Sequence, residues 1–486
     1  MSRTNVQQNE NAKPKQKRKR RKTEIYIVTY FMVFLMLGVM GNLVRYQMTE
    51  RETTINNSYN TRQELLAQQN IRGKILSAQG EVLAQTVVEE DGTEKREYPY
   101  KELFAHVIGY STKGKTGVEK QGNMNLLTSN AFIGEKIQNE LDSSKNYGDN
   151  IVTTLNVKIQ QTAYDALGVY SGAIIVTDVK TGKILTMVSK PDFDPNKIVQ
   201  IWDEVVNDDE SSVLVNRATQ GLYPPGSTFK IITSLEYFRE HNGNVDSYSY
   251  QCNGSYKNGE DRINCYHGAK HGAVTFQRSF EKSCNSSYVN VGLQLDLNKM
   301  SKTAEDLYFN KELPISMVAN QSSYVLGADA SDYDIMQTSI GQGKTQITPI
   351  HLNMITQAIA NDGQMMKPYV VDRVENYKGA VVKQYNKTAV GNIMSTEEAD
   401  FLTQLMTGVV EEGTATKLSG LSYTAAGKTG SAEYNGVKED SHAWFTGFAP
   451  ADDPEICVTI IVEGAGSGGD YAVPIAKRIF DAYFLK

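Results

Sequence analysis

The stretch Tyr223-Pro224-Pro225-Gly226-Ser227-Thr228-Phe229-Lys230, near the middle of the 486-residue chain, ends one structural element and begins another. Two prolines and a glycine stop the preceding chain, and apolar residues at 231, 232 and 235 predict a helix. Ser227 is therefore expected at a helix N-terminus, with Lys230 one turn further on the same face. Because a partly desolvated, neutral lysine can take the proton of a serine hydroxyl, this spacing favours nucleophilic catalysis.

Two further motifs follow in the same chain and strengthen a pattern that is weak when it stands alone. Ser283-Cys284-Asn285 supplies a second hydroxyl and a side-chain amide, and Lys428-Thr429-Gly430-Ser431 precedes an apolar run at 443–445. Each motif by itself fits a helix cap or an ordinary turn. Found together and in this order, they predict a serine acyl-transfer site.

The ordered motifs resemble the signature of the penicillin-binding protein and serine β-lactamase superfamily. Other segments are similar, more narrowly, to class B penicillin-binding proteins, and the short N-terminal module is similar to the compact members of that class. These segments are Arg72-Gly73-Lys74-Ile75, Pro191-Asp192-Phe193-Asp194-Pro195-Asn196, Asn216-Arg217-Ala218, Ser339-Ile340-Gly341-Gln342-Gly343, Thr348-Pro349 and Gly413-Thr414-Ala415. The resemblance covers nearly everything after residue 70. It departs from the class at Ser77-Ala78, where Asp-Arg is usual, and at Ser431, where Thr is commoner.

This resemblance implies a peptidoglycan D,D-transpeptidase that forms a serine acyl-enzyme, needs no cofactor for catalysis and is blocked by β-lactams. The expected catalytic residues are Ser227, Lys230, Ser283, Asn285 and Lys428, and the expected substrate-binding residues are Thr429, Gly430 and Ser431. Three alternatives stay open: a hydrolase of the D,D-carboxypeptidase or β-lactamase type, a β-lactam sensor, and a scaffold of the wall-synthesis machinery. A scaffold is disfavoured because all three motifs are intact.

The charge distribution predicts a membrane anchor. Residues 1–22 hold nine Lys/Arg and one Glu, a local charge of +8 within a total of −6. The twenty residues 25–44 then carry no charge, enough to span a hydrocarbon core of about 30 Å as a helix. The basic flank favours an N-terminus in the cytoplasm and a catalytic domain outside, rather than a cleaved signal peptide. The rest of the chain is acidic, which argues against nucleic acid as a partner.

The pattern of strands and helices predicts an α+β fold, an antiparallel sheet flanked by helices with a helical subdomain. Strands are predicted at 173–176, 184–188, 443–448 and 456–462, and helices at 228–238, 350–360, 397–410 and 473–484. We predict a basic cytoplasmic tail at 1–24, a transmembrane helix at 25–44, a linker with the N-terminal class B module at 45–155, and the transpeptidase domain at 156–486. The resemblance also implies a partner, a SEDS-type glycosyltransferase of the membrane, because no second catalytic domain is recognisable.

The chain has four cysteines, and three of them lie near a histidine between and within the first two motifs. Cys252, Cys265, His271 and Cys284 form a set that tetrahedral zinc accepts, although their spacing is not that of a standard zinc finger. A Cys252–Cys265 disulfide and free buried thiols are the competing interpretations. The sequence leaves these three open.

Overall fold

A computed structural model describes residues 15–49, 62–208, 210–434 and 441–485. These belong to two units, divided at residue 62, and each is described by itself. Most of the predicted basic tail (1–14) and the middle of the predicted linker (50–61) lie outside the described residues.

The first unit contains one long helix, α1 (Lys15–Thr49), which includes the predicted span 25–44. An 18-residue window within its stretch Lys22–Gln47 has a mean hydropathy of 2.1, and none of that window is buried. Twenty-six helical residues extend about 39 Å, more than a bilayer core requires. By length and composition this helix fits a single membrane anchor.

The second unit begins with a small module of short helices and strands. Its helices are α2 (Arg62–Gln69), α3 (Ala105–Ile108), α4 (Gly117–Gln121), α5 (Asn123–Leu127) and α6 (Ile133–Leu141). Its strands are β1 (Asn70–Ile71), β2 (Ile75–Leu76), β3 (Val82–Val88), β4 (Glu94–Glu97), β5 (Asn146–Tyr147) and β6 (Asn150–Thr153). β2 and β3 pair antiparallel.

A buried ion cluster holds this module together. The carboxylate of Glu119, which is fully buried, accepts hydrogen bonds from Arg72 Nε at 2.7 Å and from Arg96 Nε at 2.8 Å. Gly73, next to Arg72, has no room for a side chain, because a Cβ there would lie 2.0 Å from the carbonyl oxygen of Asp149. The Arg-Gly pair is thus explained by packing.

The remainder of the chain holds the larger set of elements. Its strands are β7 (Gly172–Asp178), β8 (Ile184–Lys190), β9 (Ser249–Cys252), β10 (Ser255–Asn258), β11 (Asp261–Asn264), β12 (Gly272–Thr275), β13 (Gln364–Met366), β14 (Val371–Glu375), β15 (Val381–Gln384), β16 (Ala389–Asn392), β17 (Ala426–Ala432), β18 (His442–Ala449) and β19 (Ile456–Val462). Its helices are α7 (Val157–Leu167), α8 (Ile198–Val206), α9 (Arg217–Gln220), α10 (Lys230–Glu240), α11 (Phe276–Glu281), α12 (Asn285–Gly292), α13 (Leu297–Asp306), α14 (Asp332–Ser339), α15 (Pro349–Ala360), α16 (Thr396–Glu411) and α17 (Ala472–Phe484).

A five-stranded antiparallel sheet, in the order β17-β18-β19-β7-β8, forms the core and confirms the predicted α+β fold. Every residue of β18 and β19 is buried, so helices cover both faces of the sheet. α15 lies against β7, β18 and β19, while α7 and α17 pack against each other and against the sheet. β17 lies at one edge of this sheet, and no other strand among the described residues pairs with its outer side.

A second, six-stranded sheet joins elements that are distant in sequence. Its order is β15-β14-β6-β2-β3-β4, so two strands from the C-terminal half complete the sheet of the N-terminal module. The register places Val371 opposite Thr153. The predicted boundary at 155–156 therefore lies beside a sheet that both parts of the chain share, and it stays a prediction.

Candidate active site

The nucleophile motif forms a tight turn at the start of α10. Ser227 lies in a 3-10 turn (Gly226–Phe229) that runs directly into α10, so the α-helix begins two residues later than predicted. Gly226 has a φ of +54°, a conformation that favours glycine, and its N–H donates to the carbonyl oxygen of Gly341 at 2.8 Å. A Cβ on Gly341 would lie 1.9 Å from the Gly226 oxygen. Gly341 is thus needed for the close approach that supports the turn.

Lys230 is fully buried and directed at the second motif. Its Nζ donates to Asn285 Oδ1 at 2.8 Å, to the carbonyl oxygen of Ser283 at 2.7 Å and to Ser283 Oγ at 3.2 Å. None of these partners is an anion, and burial lowers the pKa of the Lys230 ammonium to about 7. In the described part of the chain no hydrogen bond joins Lys230 to Ser227 Oγ, a separation common in ligand-free sites of this type.

Ser283 connects the two lysines of the site through its hydroxyl. Its backbone has a φ of +53°, which is rare for serine and orients the side chain between the two motif lysines. Lys428 Nζ donates to Ser283 Oγ at 3.1 Å, so this single hydroxyl lies within hydrogen-bonding distance of both ammonium nitrogens. Burial, together with the nearby charge of Lys230, holds the pKa of Lys428 well below its ordinary value.

The third motif lies on β17, the edge strand of the central sheet. Gly430 lets this strand lie against the nucleophile turn, because a Cβ there would be 3.1 Å from Thr228 Cγ2 and 3.2 Å from the Pro225 oxygen. Thr429 Oγ1 is 2.5 Å from Thr414 Oγ1. Ser431 Oγ accepts weakly from the N–H of Gly468 at 3.4 Å. The strand edge therefore presents two hydroxyls beside the buried Lys428.

The structure thus brings all three predicted motifs into one place and adds residues to which the sequence assigned no role. Thr414 orients the hydroxyl of Thr429, and the Asn264 carbonyl accepts from Asn285 Nδ2 at 3.0 Å. Thr414 and Gly341 could have been found from the sequence, because both lie in segments that resemble class B penicillin-binding proteins. Nothing in the sequence around Asn264 pointed to its contact.

The tentative metal ligands also converge. Cys265 Sγ lies 3.7 Å from Cys252 Sγ and 3.8 Å from Cys284 Sγ, and His271 Nδ1 is 3.3 Å from Cys252 Sγ. All four ligand atoms lie within 4.8 Å of one another, and all the cysteines are free thiols. Hydrogen bonding with Cys284 lowers the pKa of Cys265. For zinc–sulfur bonds of about 2.3 Å, tetrahedral geometry requires sulfur–sulfur distances of about 3.8 Å, so the set fits zinc.

Comparison with known proteins agrees with this geometry. Residues 172–481 match the family model of the penicillin-binding protein transpeptidase domain, and residues 72–151 match that of the penicillin-binding protein A dimerisation domain. The chain is 30% identical to the peptidoglycan D,D-transpeptidase PbpA of Mycolicibacterium smegmatis, over 85% of this chain and 88% of PbpA. It is 28% identical to the peptidoglycan D,D-transpeptidase MrdA of Acinetobacter baumannii, over 80% of this chain and 66% of MrdA.

Solved structures show the same relationship. The penicillin G acyl-enzyme complex of penicillin-binding protein A from M. tuberculosis superposes with a TM-score of 0.77 at 28% identity, covering 85% of this chain and 99% of that one. A D,D-transpeptidase domain from Eggerthella lenta gives 0.76 at 31% identity, covering 85% and 98%. The chain therefore belongs to the penicillin-binding protein family of transpeptidases, as its resemblance to the class B members predicted.

Proposed function

We propose that this chain is a peptidoglycan D,D-transpeptidase that cross-links stem peptides through an acyl-enzyme on Ser227. The observation that carries the proposal is the convergence of Lys230 and Lys428 on Ser283 Oγ, at 3.2 and 3.1 Å, beside the nucleophile turn. A buried lysine with a pKa of about 7 is half neutral near pH 7 and can act as a base.

In the proposed acylation step, Ser227 is the nucleophile and Lys230 is the base. Ser227 Oγ attacks the carbonyl carbon of the penultimate D-Ala, and Lys230 accepts the hydroxyl proton. The backbone N–H groups of Ser227 and Ser431 stabilise the oxyanion. The carbon–nitrogen bond then breaks, and the terminal D-Ala leaves with a proton relayed through Ser283. An amino group of a neighbouring strand then attacks the ester carbonyl and forms the new amide bond, the ester carbon–oxygen bond breaks, and the proton lost by the amine returns to Ser227 Oγ.

Substrate binding is assigned to the groups around this centre. We assign the terminal carboxylate of the stem peptide to Lys428, together with the hydroxyls of Thr429 and Ser431 on the strand edge. Carboxylate binding supplies the negative charge that favours protonated Lys428. Asn285, which is bonded to Lys230 through Oδ1, offers its amide to the donor peptide backbone. A β-lactam mimics the D-Ala-D-Ala end and stops at the acyl stage.

The alternatives differ in what happens after acylation. In a D,D-carboxypeptidase or β-lactamase, water removes the acyl group, whereas a β-lactam sensor retains it and signals. Incubating the purified chain with penicillin and recording its intact mass over hours separates these cases. We expect a stable increase of one drug mass on Ser227. An adduct that vanishes within seconds contradicts the transpeptidase proposal, and an absent adduct contradicts the assignment of the site.

The membrane helix supports an extracytoplasmic location for the catalytic domain. With the basic residues 15–22 on the cytoplasmic side, everything after α1 lies outside. Protease added to intact protoplasts should remove the catalytic domain, and its complete protection contradicts this orientation. A SEDS-type glycosyltransferase, contacted through the membrane helix and the N-terminal module, is the partner we propose. Failure of the two proteins to co-purify in mild detergent would count against it.

We further propose that Cys252, Cys265, His271 and Cys284 bind one structural zinc ion. The metal supplies a crosslink between the β9–β12 region and the N-terminus of α12, where Cys284 is the residue before the helix. Ser286 assists as a donor, since its Oγ lies 3.1 Å from Cys252 Sγ. Metal analysis of protein purified without a His-tag should find one equivalent of zinc; a value well below one contradicts the site.

A further inference from the structure

The three sulfurs of the proposed zinc site are close enough to react with one another. Cys265 is the shared neighbour, 3.7 Å from Cys252 and 3.8 Å from Cys284. Since a disulfide bond is about 2.0 Å long, a relative movement of about 1.8 Å joins either pair. The two pairs are not equivalent, because Cys252 Sγ is held by Ser286 Oγ at 3.1 Å and His271 Nδ1 at 3.3 Å. Cys284 Sγ lies 3.4 Å from the same Ser286 Oγ but has no hydrogen bond to His271 among the described residues, so Cys284 is the less restrained partner.

His271 is the member of the cluster that is not fully buried. His271 is half-buried, and the loop 266–270 that precedes it is exposed along its length. The cysteines themselves are buried under this loop, with exposed fractions of 1% or less. We therefore expect a small oxidant to enter from the side of His271.

Both cysteines of the pair adjoin groups of the active site. Cys284 lies between Ser283 and Asn285, which together make all of the hydrogen bonds to Lys230 described above. Cys265 follows Asn264, whose carbonyl oxygen accepts from Asn285 Nδ2 at 3.0 Å. A bond between Cys265 and Cys284 therefore cannot form without moving the groups that position Lys230.

We propose that the cluster is an oxidation site, in which a peroxide joins Cys265 to Cys284, releases the metal and switches off acylation of Ser227. This rests on the proposed zinc site and on the proposed role of Ser227. The Cys265 thiolate attacks one peroxide oxygen, the oxygen–oxygen bond breaks, and a sulfenic acid and hydroxide form. The Cys284 thiolate then attacks the Cys265 sulfur and expels a second hydroxide. Two protons from solvent convert the hydroxides to water, so the two thiolates lose two electrons and the peroxide gains them.

The metal leaves because two of its four ligands have been consumed, and Cys252 and His271 alone do not make a closed structural site. The active site loses its geometry because Ser283 and Asn285 follow Cys284. A displacement of about 1 Å at a catalytic group lowers rates by up to about 100-fold. Reduction followed by added zinc should restore the original arrangement.

The test uses the full chain, purified in detergent and reduced, with zinc counted before treatment. Stepwise addition of hydrogen peroxide is followed by a zinc-sensitive dye, by mapping disulfides in peptide digests and by the acylation rate with labelled penicillin. We expect one zinc released for each Cys265–Cys284 disulfide and acylation slowed by about 10- to 100-fold. Cys457, buried in β19 away from the cluster, should stay reduced and serves as the internal control.

A Cys265→Asp variant is the matched comparison, because a carboxylate still binds zinc but the shared sulfur is gone. It should keep its zinc at peroxide doses that empty the unchanged protein. Zinc retained by the unchanged protein, a Cys252–Cys265 disulfide instead, or full acylation activity after the Cys265–Cys284 bond forms would each overturn the inference. Absence of zinc before treatment refutes the metal site itself, and absence of acylation before treatment refutes the role of Ser227, so the failures are distinguishable.

Discussion

Lys230 and Lys428 lie on different elements, yet their ammonium nitrogens both donate to the hydroxyl of Ser283. Both side chains are fully buried, and two positive charges this close in a dry site repel each other. Burial lowers the pKa of both lysines, and the charge of Lys230 lowers that of Lys428 further. Burial of Lys230 thus explains how this lysine becomes available as a base near neutral pH.

The rate of acylation should therefore rise with pH. Lys230 acts as a base only when neutral, and its pKa is about 7, so the rate climbs through neutrality and levels off above it. The measurement is the second-order rate constant for labelled penicillin from roughly pH 5.5 to 8.5. Circular dichroism at each pH serves as the control for folding. A rate that is constant, or that falls across this range, contradicts the assignment of Lys230 as the base.

Replacing Ser227 by alanine should abolish covalent penicillin binding without unfolding the protein. The Ser227 side chain is partly exposed, and its Oγ makes no hydrogen bond within the described residues. Its loss therefore removes the nucleophile without removing a packing contact that stabilises the fold. Ser144→Ala, at an exposed position of the N-terminal module, is the matched control and should bind penicillin normally. Covalent label on Ser227→Ala would assign the nucleophile elsewhere.

Alanine substitutions at Gly341 and Gly343 test whether the close contact between Gly341 and Gly226 supports the nucleophile turn. Both have a φ of +76°, so alanine at either costs about 1–2 kcal/mol of backbone strain. A Cβ at 341 would lie 1.9 Å from the Gly226 oxygen, whereas a Cβ at 343 meets nothing closer than 3.4 Å. Gly341→Ala should lower the acylation rate by about 100-fold, and Gly343→Ala should leave it nearly unchanged. Equal rates in the two variants would show that the contact does not support the turn.

The ion cluster of the N-terminal module predicts a large effect on stability. Glu119→Gln removes a buried negative charge and leaves Arg72 and Arg96 without their charged partner. This change should lower the free energy of unfolding by about 3–5 kcal/mol. Thermal unfolding followed by circular dichroism measures the loss. Lys302→Ala, which breaks an exposed pair with Asp306 on α13, should leave the melting temperature unchanged. Similar shifts in the two variants would contradict the argument from burial.

Local patterns predicted the antiparallel strands and the main helices, because alternation, helical periodicity and turn residues report on neighbours in sequence. They misplaced the start of α10, where Gly226 and the contact with Gly341 impose a 3-10 turn first. The pairing of β14 with β6 left no local signal, since its partners are separated by more than 200 residues.

The sequence by itself determined the chemical groups and their order: a serine and lysine one turn apart, a hydroxyl and amide, and a lysine before two hydroxyl residues. It also predicted a membrane anchor, from a charge-free run beside a basic cluster, and the helix found there fits one by length and composition. Only the tertiary structure decided that Ser283, 53 residues from Lys230 and 145 from Lys428, lies between them. It likewise gathered three cysteines and a histidine within 4.8 Å. Such contacts arise when distant elements pack around a common core, and no local pattern of residues specifies how those elements meet.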